Sequence, residues 1–224
     1  MCGRYAITLA KEAMAQIFEA VPGNDLPEVP NFNVCPTNAV HTVRSSDGTR
    51  SLSAMRWGFI PHWYKTPGDG PLLINARAET IAEKPAFRAA CRERRCLIPA
   101  SGFYEWTKGD DDARLPWYIQ PAEADCLAFA GIWQDWERDG EMLRTCAIVT
   151  TAASGKMTQI HHRMPVILAA PDWALWLGED GRGAATLMQP APEGTLRFHR
   201  VDREVNSNRA SGPAETMTSA LSDR

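Results

Sequence analysis

Apolar and polar positions alternate with a period of two along much of the chain, the pattern of half-buried β-strands. After a short opening strand, Met14, Ile17, Phe18 and Val21 recur at helical spacing. That spacing predicts a helix from a cap at Thr8 to about Ala20. The stretch "VPGNDLPEVP" ends it with three prolines. Strand-like runs then come in pairs. "AVHTVR" and "SLSAMRW" flank the turn "SSDGT", "CLIPASGFYEW" and "LPWYIQ" flank "TKGDDDAR", and "CLAFAGIW" and "LRTCAIVTT" flank "QDWERDGEM". Helices are expected over "KPAFRAACRE", with Pro85 in its first turn, and over "PDWALWLG". Hairpins and scattered helices without a βαβ rhythm predict an α+β fold, mainly antiparallel, with a curved, barrel-like sheet. The expected organisation is one domain over residues 1–206, followed by a polar, loose C-terminal tail over 207–224.

Composition narrows the class without choosing a function. The 224 residues include 27 acidic and 24 Lys or Arg side chains, a net charge of −3. No global basic field advertises nucleic acid, although a local patch suffices to hold phosphates. No apolar run approaches the roughly 18 residues of a membrane-spanning helix, and the first residues lack a signal-peptide layout. We therefore expect a cytoplasmic, nucleoid-associated protein with no membrane partner, whose six cysteines are mostly free thiols.

Several side chains stand out chemically. In "MCGRY", loss of Met1 leaves Cys2 with an amine and a thiol on adjacent carbons. An aldehyde condenses with such an amine to an imine, and the thiol closes a five-membered thiazolidine. Reference pKa values of about 8 for the amine and about 8.5 for the thiol keep both nucleophiles accessible. By position alone, Cys2 is either this reagent or an incidental residue of a frayed end. In "LLINARAET", Asn75, Arg77 and Glu79 alternate with Ile74, Ala76 and Ala78, as a solvated strand face or as the floor of a polar cleft. Glu105 shares a strand face with Phe103 in "GFYEW". Apolar surroundings would raise its pKa and suit it to proton transfer, while a strand-end glutamate facing water is the plainer alternative. His161 and His162 precede a strand-like run and point opposite ways if extended, as shuttle and bystander or as two loop residues. Metal-ligand spacings and nucleotide loops are missing, so no metal and no cofactor are expected. Trp63 and Tyr64, in "IPHWYKTPGDGP", form a candidate stacking platform for bases. Trp117, Trp133, Trp173 and Trp176 read as core.

In order along the chain, "MCGRY", "FNVCPT", "RWGFIPHW", "INARAET", "RCLIPASGFYEW" and "HHRMPVIL" resemble the SOS response-associated peptidase (SRAP) family of abasic-site processing proteins. The resemblance runs from Met1 to about Asn206. It implies binding of single-stranded DNA, or of a single-to-double-strand junction, that carries an abasic site. It implies a thiazolidine crosslink between Cys2 and the opened deoxyribose, autoproteolytic removal of Met1 and a slower lyase activity, in a monomeric protein. By motif, Cys2 becomes the nucleophile, Asn75 the holder of the opened sugar, Glu105 the proton shuttle, and His161 the group assisting ring opening. Arg4, Asn33, Arg77 and Arg163 are assigned to flanking phosphates and Trp63 to the neighbouring base. Cys35 stands where the family more often carries alanine, and His162 is a second histidine beside the assigned one. Two further readings compete: an N-terminal-nucleophile thiol peptidase or amidohydrolase, and a noncatalytic module that only binds single strands.

Overall fold

Three hairpins supply most of the strand residues. The computed structural model describes residues 2–109 and 112–214. Met1, whose removal the resemblance implies, and the tail beyond residue 214 lie outside the described residues. In the first hairpin, β4 (Ala39–Ser46) and β5 (Thr49–Trp57) are joined by Asp47 and Gly48, both at positive φ (50° and 76°). Asp-Gly is the dipeptide that a type I′ turn requires, because its twist matches that of the strands. The same device, Asp139–Gly140, joins β10 (Leu127–Arg138) to β11 (Glu141–Ala152). Most of "QDWERDGEM" is therefore strand and not connection. The third hairpin pairs β8 (Gly102–Lys108) with β9 (Arg114–Pro121).

The shorter strands are β1 (Tyr5–Ile7), β2 (Ala20–Pro22), β3 (Asn31–Val34), β6 (Asn75–Arg77), β7 (Arg95–Ala100), β12 (Arg163–Pro165) and β13 (Leu196–Arg200). One sheet has the order β13-β9-β8-β1-β3. The other runs β12-β11-β10-β7-β4-β5-β2, and a parallel pairing of β5 with β11 closes β4, β5, β11, β10 and β7 into a barrel. The pairing is mostly antiparallel; β2–β5, β5–β11 and β6–β11 are parallel. Beyond the closure, β6 takes over from β5 on one side of β11 and β12 takes over from β10 on the other, so Thr150 lies between Arg77 and Pro165.

The helices are shorter than the pattern predicts. α1 spans Lys11–Ile17 with Ala10 at its cap, and Thr8 instead hydrogen-bonds Ser101 through its N–H and hydroxyl. Met14 and Phe18 are buried as expected, whereas Val21 falls on β2 and is 63% exposed. α2 covers only Arg88–Glu93, because residues 80–87 form successive turns. α3 (Trp173–Leu177) stops at Gly178 in the left-handed conformation that commonly ends helices.

The two sheets share one core. Phe129 of β10 meets Tyr5 and Phe103 edge-on, with ring centroids 6.0 and 5.9 Å away. Tyr5 also packs against Trp57. Buried indoles have acceptors: Trp57 donates to Ile74 O (3.0 Å) and Trp176 to Cys96 O (2.9 Å), as burying a polar N–H demands. Trp117 and Trp173 are core residues too, but Trp133 is half-buried and carries the Arg44 and Arg144 guanidinium groups on its ring. Phe129→Ala should lower unfolding free energy by about 3–5 kcal/mol, read from the urea midpoint. An unchanged midpoint would show that the sheets do not depend on this contact.

Candidate active site

Cys2 is fully buried although it lies next to the chain's start, and its neighbours hold it there. The side chain of Asn75 on β6 donates from Nδ2 to the Cys2 carbonyl at 3.0 Å. The Arg4 main-chain N–H donates to the Cys2 sulfur. Glu105 lies close enough for its charge to act on that sulfur. Period-two alternation on β8 explains the glutamate's placement. Phe103 and Glu105 point inward, 0% and 4% exposed, while Tyr104 and Trp106 face the other side with Val201 and Val205. Burial therefore falls on a carboxyl flanked by core aromatics.

That burial sets the electrostatics. It pushes the Cys2 thiol well up, and the Glu105 carboxylate adds to the effect. It also raises the Glu105 pKa above the ordinary glutamate value, since desolvation penalises the charged form. His161 is shifted down, first by burial, which keeps its ring neutral at neutral pH. Its Nδ1 lies 2.9 Å from the Arg163 main-chain nitrogen and 3.1 Å from the Arg163 carbonyl oxygen, so Nδ1 is tied to the Arg163 main chain in either tautomer. His162 stacks on His161 with centroids 4.3 Å apart, and its pKa is lowered chiefly by His161.

The residues expected at DNA, four at phosphates and Trp63 at the neighbouring base, divide into two groups. Arg77 is exposed and makes no hydrogen bond or ion pair from its side chain among the described residues. Trp63 is 46% exposed. The other three spend their polar atoms internally. Arg163 is 8% exposed, with a bidentate pair to Glu79 (2.6 and 2.9 Å) and a hydrogen bond to Thr150 O (2.7 Å). Arg4 donates to Asn33 Oδ1 (2.6 Å), and Asn33 donates to Ser207 O (3.1 Å) and Ala210 O (2.7 Å). Both Arg4 and Asn33 thus face the C-terminal segment and not open solvent. Cys35 is half-buried, with its thiol toward Asn33 O at 3.4 Å.

A cleft of about 570 Å³ opens beside Asn75, bounded by Trp63, Leu73, Arg77, Lys84 and Phe87. The Asn75 Oδ1 is buried there without a hydrogen-bond partner among the described residues. Lys84 and Phe87 were not among the expected site residues. Their segment reads as helix from sequence, and the turns that aim Lys84 at the cleft have no local signature. The described residues hold no group of three or more His, Cys, Asp or Glu able to bind a metal ion, and no helix is long and apolar enough to cross a membrane.

A barrel that buries Cys2 between an amide and a carboxyl defines a class, and comparison with known proteins gives it a family. Residues 1–208 match the SOS response associated peptidase (SRAP) family, and the chain belongs to it. The abasic site processing protein YoqW of Bacillus subtilis is 36% identical over 220 residues, covering 95% of this chain and 97% of that one. The abasic site processing protein HMCES of Xenopus tropicalis is 30% identical over 95% of this chain and 77% of its own. Among solved structures, a Bacteroides thetaiotaomicron protein superimposes with a TM-score of 0.81 at 25% identity, over 91% of this chain and 93% of that chain. A phage-related protein of Bordetella bronchiseptica does so with 0.74 at 30% identity, over 94% and 99%.

The raised Glu105 pKa has a consequence for stability. The folded carboxyl holds its proton more tightly than the unfolded one, so stability falls as pH rises from the ordinary glutamate pKa toward the raised value. Glu105→Gln removes that penalty. Its thermal stability relative to wild type should be greater at about pH 7.5 than at about pH 3, where glutamic acid is almost fully protonated in both states. A difference independent of pH would contradict the shift.

Proposed function

We propose that this protein processes abasic sites in DNA by capturing the opened deoxyribose on Cys2 as a thiazolidine, after loss of Met1. The observation that carries the proposal is the clasp of Asn75 on Cys2 with a buried carboxyl against the thiol. The names of the relatives and the family itself support the substrate class.

The chemistry follows from the neighbours. The freed amine adds to the C1′ aldehyde, and Glu105 takes and returns the proton that lets water leave as the imine forms. Its raised pKa suits both directions of that transfer near neutrality. The thiol then adds across the C=N bond and closes the ring. Asn75 Oδ1, an acceptor without a partner among the described residues, receives a hydroxyl of the opened sugar. Neutral His161 assists ring opening and crosslink reversal. Holding amine, thiol and aldehyde together replaces a bimolecular encounter with an oriented one. The same imine permits slower β-elimination, the lyase outcome, when ring closure loses the race.

The cleft supports a single strand as ligand, alone or at a junction. Arg77 and Lys84 offer cations with no side-chain partner among the described residues, and Trp63 offers a ring to a base or a wedge against the complementary strand. A net charge of −3 is compatible with this, because phosphates meet a local patch.

Incubation with an abasic-site oligonucleotide, followed by heating in detergent, should give a shifted band without borohydride. Cys2→Ser should abolish it. Turnover of amide substrates with no such band would favour a thiol peptidase, and binding without an adduct in either protein would favour a passive module. Arg77→Ala and Lys84→Ala should each weaken binding across sequences and reduce the slope of log K against log salt by about one. Unchanged slopes would move the strand out of the cleft.

A further inference from the structure

The C-terminal segment contacts the reactive end of the chain. A 3-10 turn over Arg203–Asn206 is capped by Asp202, whose side chain accepts the Glu204 N–H at 2.8 Å. Val205 then packs against Ala6, Tyr104 and Val201, which fixes the direction of the residues that follow. Their oxygens converge on one guanidinium. Arg4 donates to Val205 O at 2.9 Å, to Asn208 Oδ1, and to Asn33 Oδ1, and Asn33 is itself held by the carbonyls of Ser207 and Ala210. A second tie runs from Trp106 Nε1 to Asn206 Oδ1 at 2.6 Å, with Asn206 Nδ2 donating to Arg114 O at 3.1 Å.

Arg4 is 8% exposed and has no carboxylate within ion-pair distance among the described residues. A buried charge without a counter-ion depends on the neutral oxygens that replace water. The segment supplies two of those oxygens directly, and it fixes Asn33, which supplies the third. Where the segment lies therefore decides where Arg4 lies. The Arg4 main chain in turn reaches the reaction centre. Its carbonyl accepts the Tyr104 N–H at 2.9 Å on the strand that bears Glu105, and its N–H donates to the Cys2 sulfur.

The geometry points to residues 203–210 as a positioning latch that, through Arg4, aims the Cys2 sulfur for ring closure. The inference rests on the crosslinking reading above and gives Arg4 a role other than phosphate binding. In ring closure the S–C1′ bond forms, the C=N π pair moves to nitrogen, and the thiol proton ends on that nitrogen, so no oxidant or reductant is needed. Imine formation uses the amine and not the sulfur. The latch should therefore govern the second step and leave the first alone, which a general loss of structure would not do.

The test is single-turnover reaction with an abasic oligonucleotide, quenched either with borohydride, which traps the imine, or with hot detergent, which preserves the thiazolidine. Asn208→Ala should slow the heat-stable product by about tenfold or more while the borohydride-trapped imine forms at the wild-type rate and accumulates. Asn208→Asp, which keeps the acceptor oxygen, should restore closure. Trp106→Phe, which removes the tie to Asn206 and shrinks the ring beneath the Arg4 guanidinium, should show the same lag to a smaller degree and gives a second reading if Asn208→Ala folds poorly. Closure at the wild-type rate in Asn208→Ala and Trp106→Phe would overturn the latch, as would parallel loss of both products without rescue by Asn208→Asp. A wild-type chain that forms neither product would overturn the crosslinking reading and the latch with it.

Discussion

A terminal residue normally frays, because nothing repays the entropy of ordering it. Here the start of the chain is drawn into the core by the Asn75 amide on the Cys2 carbonyl, and the remaining site features depend on that clasp. With Cys2 held, Glu105 acts on the sulfur, the Asn75 oxygen is left without a partner among the described residues, and the exposed cations line the cleft beside Asn75. Without it, the same residues are a strand face, a buried carboxyl and a loop, which is how each reads in isolation.

The electrostatic design follows from burial more than from charge pairing. Glu105 is raised and His161 lowered mainly by desolvation, so both shift toward their neutral forms. Neutral groups able to exchange a proton suit a condensation that must remove a proton from the amine at one moment and protonate a departing hydroxyl at the next. The cations are treated differently. Arg4 and Arg163 are buried and donate to internal acceptors, where they brace the scaffold, whereas Arg77 and Lys84 face the cleft. An acidic chain can present a local phosphate track in this way.

Much of this was legible in the residues, for identifiable reasons. Asp47–Gly48 announces its hairpin because few dipeptides tolerate positive φ twice, and the alternation Phe103/Glu105 against Tyr104/Trp106 places the glutamate inside. Motif order carries the family. Other features depend on distant contacts. Thr8 has the residue type of a cap but is taken by Ser101, 93 positions away. The barrel closes through a parallel pairing of β5 with β11 that no local pattern encodes. The polar residues 203–210 show no periodicity, and their value lies in oxygens offered to Arg4 across the fold. Arginine at position 4 reads equally as a phosphate ligand and as a buried anchor until its partners are seen.

The account stands on a freed aminothiol at Cys2 reacting with a sugar that lacks its base. Intact-mass measurement of the adduct with an abasic oligonucleotide, followed by mapping of the modified peptide, tests this most directly. The expected mass is the chain without Met1 plus the oligonucleotide, less one water, with the nucleotide on Cys2. An adduct that retains Met1, or that maps to Lys84 or any other side chain, would contradict it.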